Sequence, residues 1–381
     1  MLTLAFYLFF FAIYFKKYQN KFPKNEFVIF EFFKKMIKSF DFFDLLKSYI
    51  TECEKGKHLN KNGSRMRSGT IANYKSIYSL LLKFCFAKNI NLRINNLIRC
   101  TQSEFISERR YWKRIYKKLT IYMYKECNHF DNYVGANMKL LRTFFNYLRI
   151  EKGIDTRDIS KIFYVSKEEI PIIVLNPEQL KYLINDKEFE TSLCYRLQKI
   201  KDIFVFGCTV GLRISDLLAL KQSNLDRNYN DYYLKVLSKK TSTFTRIKLP
   251  SYAVRIIAKY KGKFPTLLPK IHLFNFNKYS REIVEKAGWT YLVDKKRTKR
   301  GVSKIIKKYN SNSRFRFCDL ITSHTMRRTA ITTYLSFGMP EQLVRRISGH
   351  SPGSKEFFRY VRYSDEILDQ EINRVHLKFT T

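Results

Sequence analysis

Apolar side chains recur at intervals of three and four residues through most of the first half of the chain, a period that fits α-helices and not strands. The first stripe follows Asp41 and comprises Phe42, Leu45, Leu46, Tyr49 and Ile50. A second helix is expected to begin near a cap at Thr70. Further helices are predicted around 102–124 and 133–149. Residues 39–165 are therefore predicted to form one small helical domain.

The second half of the chain, residues 166–381, contains one clear strand signal. Apolar and polar residues alternate over 232–237 and again at 247–249, which predicts a β-hairpin with its turn at 238–243. The most definite helix start is Asn176-Pro177-Glu178-Gln179, where Asn suits the N-cap, Pro the first helical position and Gln the capping box. Residues 151–175 lack helical periodicity and predict a linker. The expected fold class is mainly α with a small β-hairpin, which makes the second domain α+β.

The charge of the chain indicates its kind of partner. It has 72 Lys and Arg against 33 Asp and Glu, a formal net charge of +39 over 381 residues. Such a surplus destabilises a folded chain by self-repulsion unless a polyanion neutralises it, so nucleic acid is the leading partner. A coding bias toward Lys, Asn, Ile, Phe and Tyr is an alternative source of part of the charge. It does not favour the arginines of residues 297–362.

Cysteine and histidine usage argues against disulfides and metals. The seven cysteines are scattered without a CxxC pair, and the six histidines form no metal-binding motif. This pattern predicts free thiols in a reducing cytoplasm, with no metal and no cofactor.

The N-terminal segment, residues 1–38, is set apart from both domains. Its first fifteen residues are uncharged and apolar, and as a helix they would span roughly 22 Å, less than the ~30 Å hydrocarbon core of a bilayer. Three interpretations stay open: a buried or interfacial helix, a short membrane anchor, or residues translated from a start upstream of the native one. Met36 would be the alternative start.

Two motifs in the second domain place arginines where they could bind a phosphate group. In the segment GLRISD, Arg213 precedes a helix that Ser215 is expected to cap, so its guanidinium would lie beside the positive end of a helix dipole. In SHTMRRT, His324 and Arg327 are three residues apart on a predicted helix. They therefore share one face of that helix.

A third motif follows near the C-terminus. The segment ISGH ends a predicted helix at Gly349, and His350 comes directly after it. Tyr360 follows ten residues later. Each motif alone is common by chance, but together they form an ordered set that could act on one phosphate.

In this order the motifs resemble the catalytic domain of the tyrosine recombinase, or phage integrase, family. The segments GLRISDLLALK, SHTMRRT and ISGH are similar to integrases of Bacteroidetes mobile elements. The likeness covers most of residues 40–375, because the helical domain resembles the family's SAM-like core-binding domain. It implies a site-specific DNA recombinase that cuts and rejoins DNA through a 3′-phosphotyrosyl intermediate without metal or ATP. The residues to which it assigns catalytic roles are Arg213, Lys240, His324, Arg327, His350 and, as nucleophile, Tyr360.

Two of these assignments have alternatives within the chain. Lys239 is the alternative to Lys240 for the lysine of the hairpin. The family's nucleophile usually lies nine residues after the second histidine, whereas Tyr360 lies ten after His350, which leaves Tyr363 as a competitor. The resemblance also implies that Asp216 supports the fold of the site.

The resemblance also implies which partners the protein has, although other interpretations of the chain stay open. It implies double-stranded DNA, a homotetramer on two DNA sites and accessory DNA-bending proteins, with no small-molecule substrate. The element served would be a phage, a conjugative transposon or a related mobile element. The rival interpretations are type IB topoisomerase activity, a non-catalytic DNA-binding protein of the same fold, and a membrane-anchored basic protein.

Overall fold

A computed structural model describes residues 39–60, 62–238, 243–309, 311–350, 353–363, 372–373 and 376–377. The N-terminal segment, with its apolar run and Met36, lies outside the described residues. The chain divides into two compact units. The first comprises the residues up to Glu169 together with Arg297–Lys304, and the second comprises Ile170–Lys296 and the residues from Ile305 onward. Within the described ranges, no helix has both the length and the apolar character needed to cross a bilayer.

The first unit is mainly helical. Its elements are β1 (Ser39–Asp41), α1 (Phe42–Glu54), α2 (Ser68–Lys88), β2 (Arg93–Asn95), α3 (Gln102–Ile121), a π-helical turn (Tyr122–Glu126), α4 (Asp131–Ile150) and a 3₁₀ turn (Ile159–Ile162). The short strands β1 and β2 pair antiparallel. Aromatic rings fill the core, where Trp112 packs edge-on against Phe145 with ring centroids 4.9 Å apart. The helices predicted from apolar periodicity are thus present.

Side-chain caps determine where two of these helices begin. The carboxylate of Asp41 accepts hydrogen bonds from the backbone N–H groups of Phe43 and Asp44 in the first turn of α1. Thr101 and Glu104 form a capping box at the start of α3. The expected cap of α2 at Thr70 is wrong, because the backbone already turns at Arg67 and α2 begins without a side-chain cap. The Thr70 N–H instead bonds to the Arg67 carbonyl.

Beyond Glu169 the chain continues with helices and short strands. These elements are α5 (Pro177–Asn185), α6 (Lys187–Ser192), α7 (Tyr195–Val210), α8 (Ile214–Leu217), a 3₁₀ turn (Gln222–Asn224), β3 (Leu225–Asn228), β4 (Asp231–Leu237), β5 (Phe244–Leu249), α9 (Ser251–Tyr260), α10 (Leu273–Lys286), β6 (Leu292–Val293), β7 (Lys295–Lys299), β8 (Val302–Ile306), β9 (Phe315–Arg316), a 3₁₀ turn (Phe317–Leu320), α11 (Ser323–Ser336), α12 (Glu341–Ser348) and α13 (Lys355–Tyr363). The predicted capping box of α5 is confirmed. Asn176 accepts from the Gln179 N–H at 2.7 Å, and the Gln179 side chain accepts from the Asn176 N–H at 3.0 Å.

Strands β3, β4 and β5 form a three-stranded antiparallel sheet. The predicted hairpin is β4–β5, with Leu234 opposite Ile247 and both side chains buried. The Ser238 N–H closes the turn on the Thr243 carbonyl at 2.9 Å. Strand β3 and the two-stranded sheets β6–β9 and β7–β8 were not predicted from the sequence. Strand β7 reads KKRTK, which has no apolar alternation to reveal it.

Helix α7 forms the centre of the second unit, and all of residues 200–210 are buried. Helix α11 packs against it so closely that a Cβ added at Gly207 would lie 2.4 Å from the Met326 Sδ atom. Gly211 then ends α7 in the left-handed region, with φ of 63°, a conformation that glycine adopts without strain. This tight crossing brings the chain after Gly211 next to residue Arg327 of α11.

Residues 297–304 of the β7–β8 hairpin belong to the first unit, where two buried carboxylates hold them. Glu168 accepts two hydrogen bonds from the Arg297 guanidinium, at 3.0 and 2.7 Å. Asp131 accepts from two successive backbone N–H groups of the hairpin turn, at 2.8 and 3.0 Å. The positive charge of Arg297 is therefore matched by a buried carboxylate of the same unit.

Candidate active site

Arg213 is placed by the turn between α7 and α8. Gly211 redirects the chain, the buried Leu212 anchors it, and Arg213 itself is the N-cap residue of the four-residue helix α8. The expectation that Ser215 caps this helix is wrong, because the helix begins at Ile214 and Ser215 lies within it. The guanidinium of Arg213 is half-buried and points toward the β4–β5 hairpin.

Ser238, at the end of β4, connects Arg213 to a carboxylate. The Arg213 Nη1 atom donates to the Ser238 hydroxyl at 3.0 Å, and that hydroxyl donates to the Asp216 Oδ2 atom at 3.1 Å. Both Ser238 and Asp216 are buried. Asp216 therefore fixes Arg213 through an intervening serine, which agrees with the supporting role that the resemblance implies for it.

Arg327 projects from α11 and is only 5% exposed. Its Nη1 atom donates to the Gly211 carbonyl at 3.0 Å, which locks the guanidinium to the turn that carries Arg213. Burial, and then the like charge of Arg213, lower the pKa of Arg327 to about 10. It still carries its charge at neutral pH. The two guanidinium groups are thus held together despite their repulsion.

His350 follows Gly349, whose left-handed conformation ends α12 with φ of 63°. The Arg327 Nη2 atom lies 3.3 Å from Nδ1 and 3.2 Å from Nε2 of its ring, and the Ser348 hydroxyl lies 2.8 Å from Nδ1. Burial, followed by the charges of nearby arginines, lowers the pKa of His350 to about 3. The imidazole is therefore neutral at physiological pH.

Tyr360 lies on α13, which docks through the fully buried Phe357. The Tyr360 ring centroid is 5.9 Å from that of His350. The phenol is also close enough to Arg327 to raise the pKa of that guanidinium against the larger effect of burial. The neighbouring Arg359 donates to the Ile170 carbonyl at 2.7 Å, a second anchor for the helix.

The remaining predicted residues are described less completely. His324 lies in the first turn of α11, one turn before Arg327, and its side chain is exposed. Lys240 and its alternative Lys239 lie outside the described residues. Tyr363 is the last residue of α13, but its side chain also lies outside the described part of the chain. The structure thus brings together Arg213, Arg327, His350 and Tyr360.

Two further residues of this site, Ser238 and Ser348, were missed by the sequence reasoning. Each makes a hydrogen bond to a residue that the motifs had identified. Their positions were a possible signal, because Ser238 directly precedes the lysine pair of the hairpin and Ser348 stands two residues before His350. Serine is too common at turns and helix ends for that signal to be specific.

The charges of the site suit an anionic ligand. Among the described residues, no carboxylate lies within ion-pair distance of Arg213 or Arg327, although many other cations of the chain have such partners. Guanidinium groups present several N–H donors in a plane that matches phosphate oxygens. Two of them beside a tyrosine hydroxyl form a site that can bind a phosphate diester next to a nucleophile.

Comparison with known proteins decides the family. The sequence profile of the phage integrase family matches residues 174–366, just over half of the chain, and this span contains all four residues that the structure brings together. The chain belongs to the phage integrase family. Membership confirms the predicted relationship to tyrosine recombinases and places the chain among site-specific DNA recombinases. No curated relative matches the sequence.

Solved structures of integrases share the fold. A lambda integrase dimer bound to a COC′ core site matches with a TM-score of 0.55 and 14% identity, over 92% of this chain and 84% of that one. The Tn1549 transposon integrase in complex with transposon right end DNA matches with a TM-score of 0.53 and 15% identity, over 88% of this chain and 100% of that one. These likenesses confirm the predicted fold class, mainly helical with small antiparallel sheets.

Proposed function

We propose that this phage integrase family member cuts and rejoins double-stranded DNA at specific sites, with Tyr360 as its nucleophile. The observation that carries the proposal is the position of the Tyr360 ring beside His350 and the ion-unpaired Arg327, with Arg213 adjoining. These are the groups that transfer of a phosphate diester to tyrosine requires: a nucleophile and fixed positive charge around the phosphate.

The proposed reaction exchanges one ester bond for another. The Tyr360 oxygen attacks the phosphorus, a bond forms between them, and the bond from phosphorus to the 5′-oxygen breaks. Arg213 and Arg327 stabilise the charge of the pentacoordinate transition state. Lys240 gives a proton to the departing 5′-oxygen. His324, as the acid–base partner, takes up the proton that the Tyr360 hydroxyl loses. The 3′-phosphotyrosyl bond conserves the energy of the ester, so a free 5′-hydroxyl can later reverse the step on the same or another strand.

The partners follow from charge and from the family. A net charge of +39 suits the DNA backbone, and the lambda and Tn1549 integrases named above were both solved in complex with DNA. In this proposal the predicted helical domain, residues 39–165, and the predicted catalytic domain, residues 166–381, both bind DNA. The active assembly is a homotetramer on two DNA sites, with accessory DNA-bending proteins. The free cysteines suit a cytoplasmic enzyme.

A suicide substrate tests the proposal. The protein is incubated with a nicked duplex that carries the end of its own element, so that the short 5′ strand diffuses away after cleavage and the covalent adduct accumulates. We expect an adduct that is stable in detergent with the unaltered chain and with Tyr363→Phe, and no adduct with Tyr360→Phe. DNA binding without any adduct would instead favour the alternative, a non-catalytic DNA-binding protein of the same fold.

A further inference from the structure

The hydroxyl of Ser348 has two close neighbours, and their chemistry determines where its proton lies. Ser348 is 2% exposed, and its Oγ atom is 2.7 Å from the Val344 carbonyl oxygen and 2.8 Å from the His350 Nδ1 atom. A carbonyl oxygen can only accept. The short contact with Val344 therefore requires the hydroxyl proton, since two oxygen lone pairs at this distance would repel.

The contact between Ser348 and His350 must then use a proton of the imidazole. The single hydroxyl proton is committed to Val344, so the Nδ1 atom donates to the Ser348 oxygen. In a neutral imidazole only one ring nitrogen carries hydrogen. This arrangement leaves Nε2 as the nitrogen with a lone pair.

Arg327 does not compete for either ring nitrogen. A hydrogen bond in the plane of an imidazole reaches one nitrogen, yet the Arg327 Nη2 atom is almost equally far from both, at 3.3 and 3.2 Å. Nη2 therefore lies over the face of the ring, where a guanidinium stacks favourably on a neutral π-system. A protonated imidazole would repel the guanidinium in the same place.

We propose that Ser348 is a positioning residue, which holds His350 as the neutral Nδ1–H tautomer so that its ring face supports the Arg327 guanidinium. In the DNA-free site, His350 then offers an acceptor at Nε2 and not a donor. Its part in assembling the site is to fix the plane of Arg327. The catalytic consequence of this inference rests on the proposed function, whereas the tautomer itself does not.

Nuclear magnetic resonance of the full chain tests the tautomer directly. The protein is labelled with ¹⁵N-histidine, and the His350 signals are assigned by their loss in His350→Gln. At pH 7 we expect the ¹⁵N pattern of a neutral ring protonated at Nδ1. In Ser348→Ala we expect the pattern to move toward the Nε2–H form. An Nε2–H or doubly protonated ring in the unaltered chain would overturn the inference.

Cleavage of the suicide substrate supplies a second readout. Loss of a hydrogen bond that positions a charged group predicts a cleavage rate about tenfold lower in Ser348→Ala. Ser348→Cys keeps nearly the same volume but is a weak acceptor, so it should be impaired to a similar degree. Ser336→Ala is the matched control, because the Ser336 hydroxyl bonds to a helix carbonyl, at 2.9 Å.

The outcomes separate this inference from the proposed function. Full cleavage activity in both Ser348 variants would overturn the positioning role while leaving the nucleophile intact. Equal losses in Ser348→Ala and Ser336→Ala would also overturn it, because the effect would then belong to helix stability. Absence of any adduct with the unaltered chain would refute the proposed function, but the ¹⁵N pattern would still decide the tautomer.

Discussion

Two arginines of this chain, one partly buried and one buried, have opposite surroundings. Arg297, in the first unit, is paired through two hydrogen bonds with Glu168, whose side chain is 1% exposed. Arg327, in the second unit, is more deeply buried, bonds to a carbonyl and an imidazole face, and has a second arginine as its charged neighbour. The first arrangement neutralises charge and holds a hairpin in place. The second leaves the guanidinium without an ion-pair partner among the described residues, an arrangement that suits an anionic ligand.

The second unit does not lack carboxylates for its other cations, whether buried or partly exposed. Lys201 pairs with Glu190 at 3.1 Å, and Lys259 pairs with both Glu190 and Asp202. The pairing lowers the pKa of Glu190 and raises that of Lys259. The unpaired state of Arg327 is therefore particular to the candidate active site and is not a general property of the unit.

The largest expected effect on stability comes from removing the ion pair between Arg297 and Glu168. Arg297→Met leaves the Glu168 carboxylate buried without its cation, which should lower the free energy of unfolding of the first unit by about 3–5 kcal/mol. Chemical denaturation followed by circular dichroism measures this. Lys75→Met is the control, because it removes an exposed ion pair with Glu54 and should cost at most about 1 kcal/mol. Equal losses in the two variants would show that the buried pair has no special role.

The unpaired arginine should show the reverse pattern. Arg327→Gln removes a fixed charge from the transition state, which should lower the single-turnover cleavage rate about 10²- to 10³-fold. Its loss of stability should be smaller than that of Arg297→Met, because the charge of Arg327 is unfavourably buried beside Arg213. Arg297→Met, assayed at a temperature at which it is folded, should cleave normally. If Arg327→Gln lost much stability but cleaved at the normal rate, the proposed difference between Arg327 and Arg297 would be wrong.

A smaller effect is expected where a carboxylate acts on the site through a serine. Ser238→Ala removes the link between Arg213 and Asp216, so the guanidinium keeps its charge but loses its orientation. The cleavage rate should fall about tenfold, the usual scale for one hydrogen bond to a charged group. Measuring the rate over a range of DNA concentrations distinguishes this from weaker binding. A change confined to DNA affinity would refute the positioning role.

Near neutral pH the smallest expected effect is that of His350 on stability, and this effect grows as pH falls. The pKa of His350 is 6.5 in the unfolded chain, and burial, followed by the charges of nearby arginines, lowers it to about 3 in the folded chain. The unfolded state therefore binds more protons between these values, and the fold loses stability as pH falls through this window, by at most about 1.4 kcal/mol per pH unit. The slope of unfolding free energy against pH should be shallower in His350→Gln. Identical slopes in the two proteins would show that His350 titrates normally.

The residues that sequence could identify are those fixed by local pattern. Arg213, Arg327 and His350 stand in short motifs whose order along the chain indicated one site. Helix spacing and the glycine that ends α12 indicated the elements that precede or carry Arg327 and His350. Ser238 and Ser348 could not be identified in this way, because their significance comes from atoms that approach only in the folded chain.

The hairpin held by Glu168 shows the same limit on a larger scale. Glu168 falls in the segment that the sequence suggested was a linker, and its partner Arg297 is 129 residues away. Nothing in the pattern KKRTK distinguishes a basic strand that pairs with buried carboxylates from one that is solvated. Pairings between distant residues depend on tertiary packing, which periodicity does not encode.

In the proposed reaction Tyr360 forms a covalent bond to DNA. The most direct test is to trap the adduct on a suicide duplex, digest both protein and DNA, and map the modified peptide by tandem mass spectrometry. We expect a nucleotide mass on the side chain of Tyr360 alone. A nucleotide on Tyr363, or on any other side chain, would contradict it.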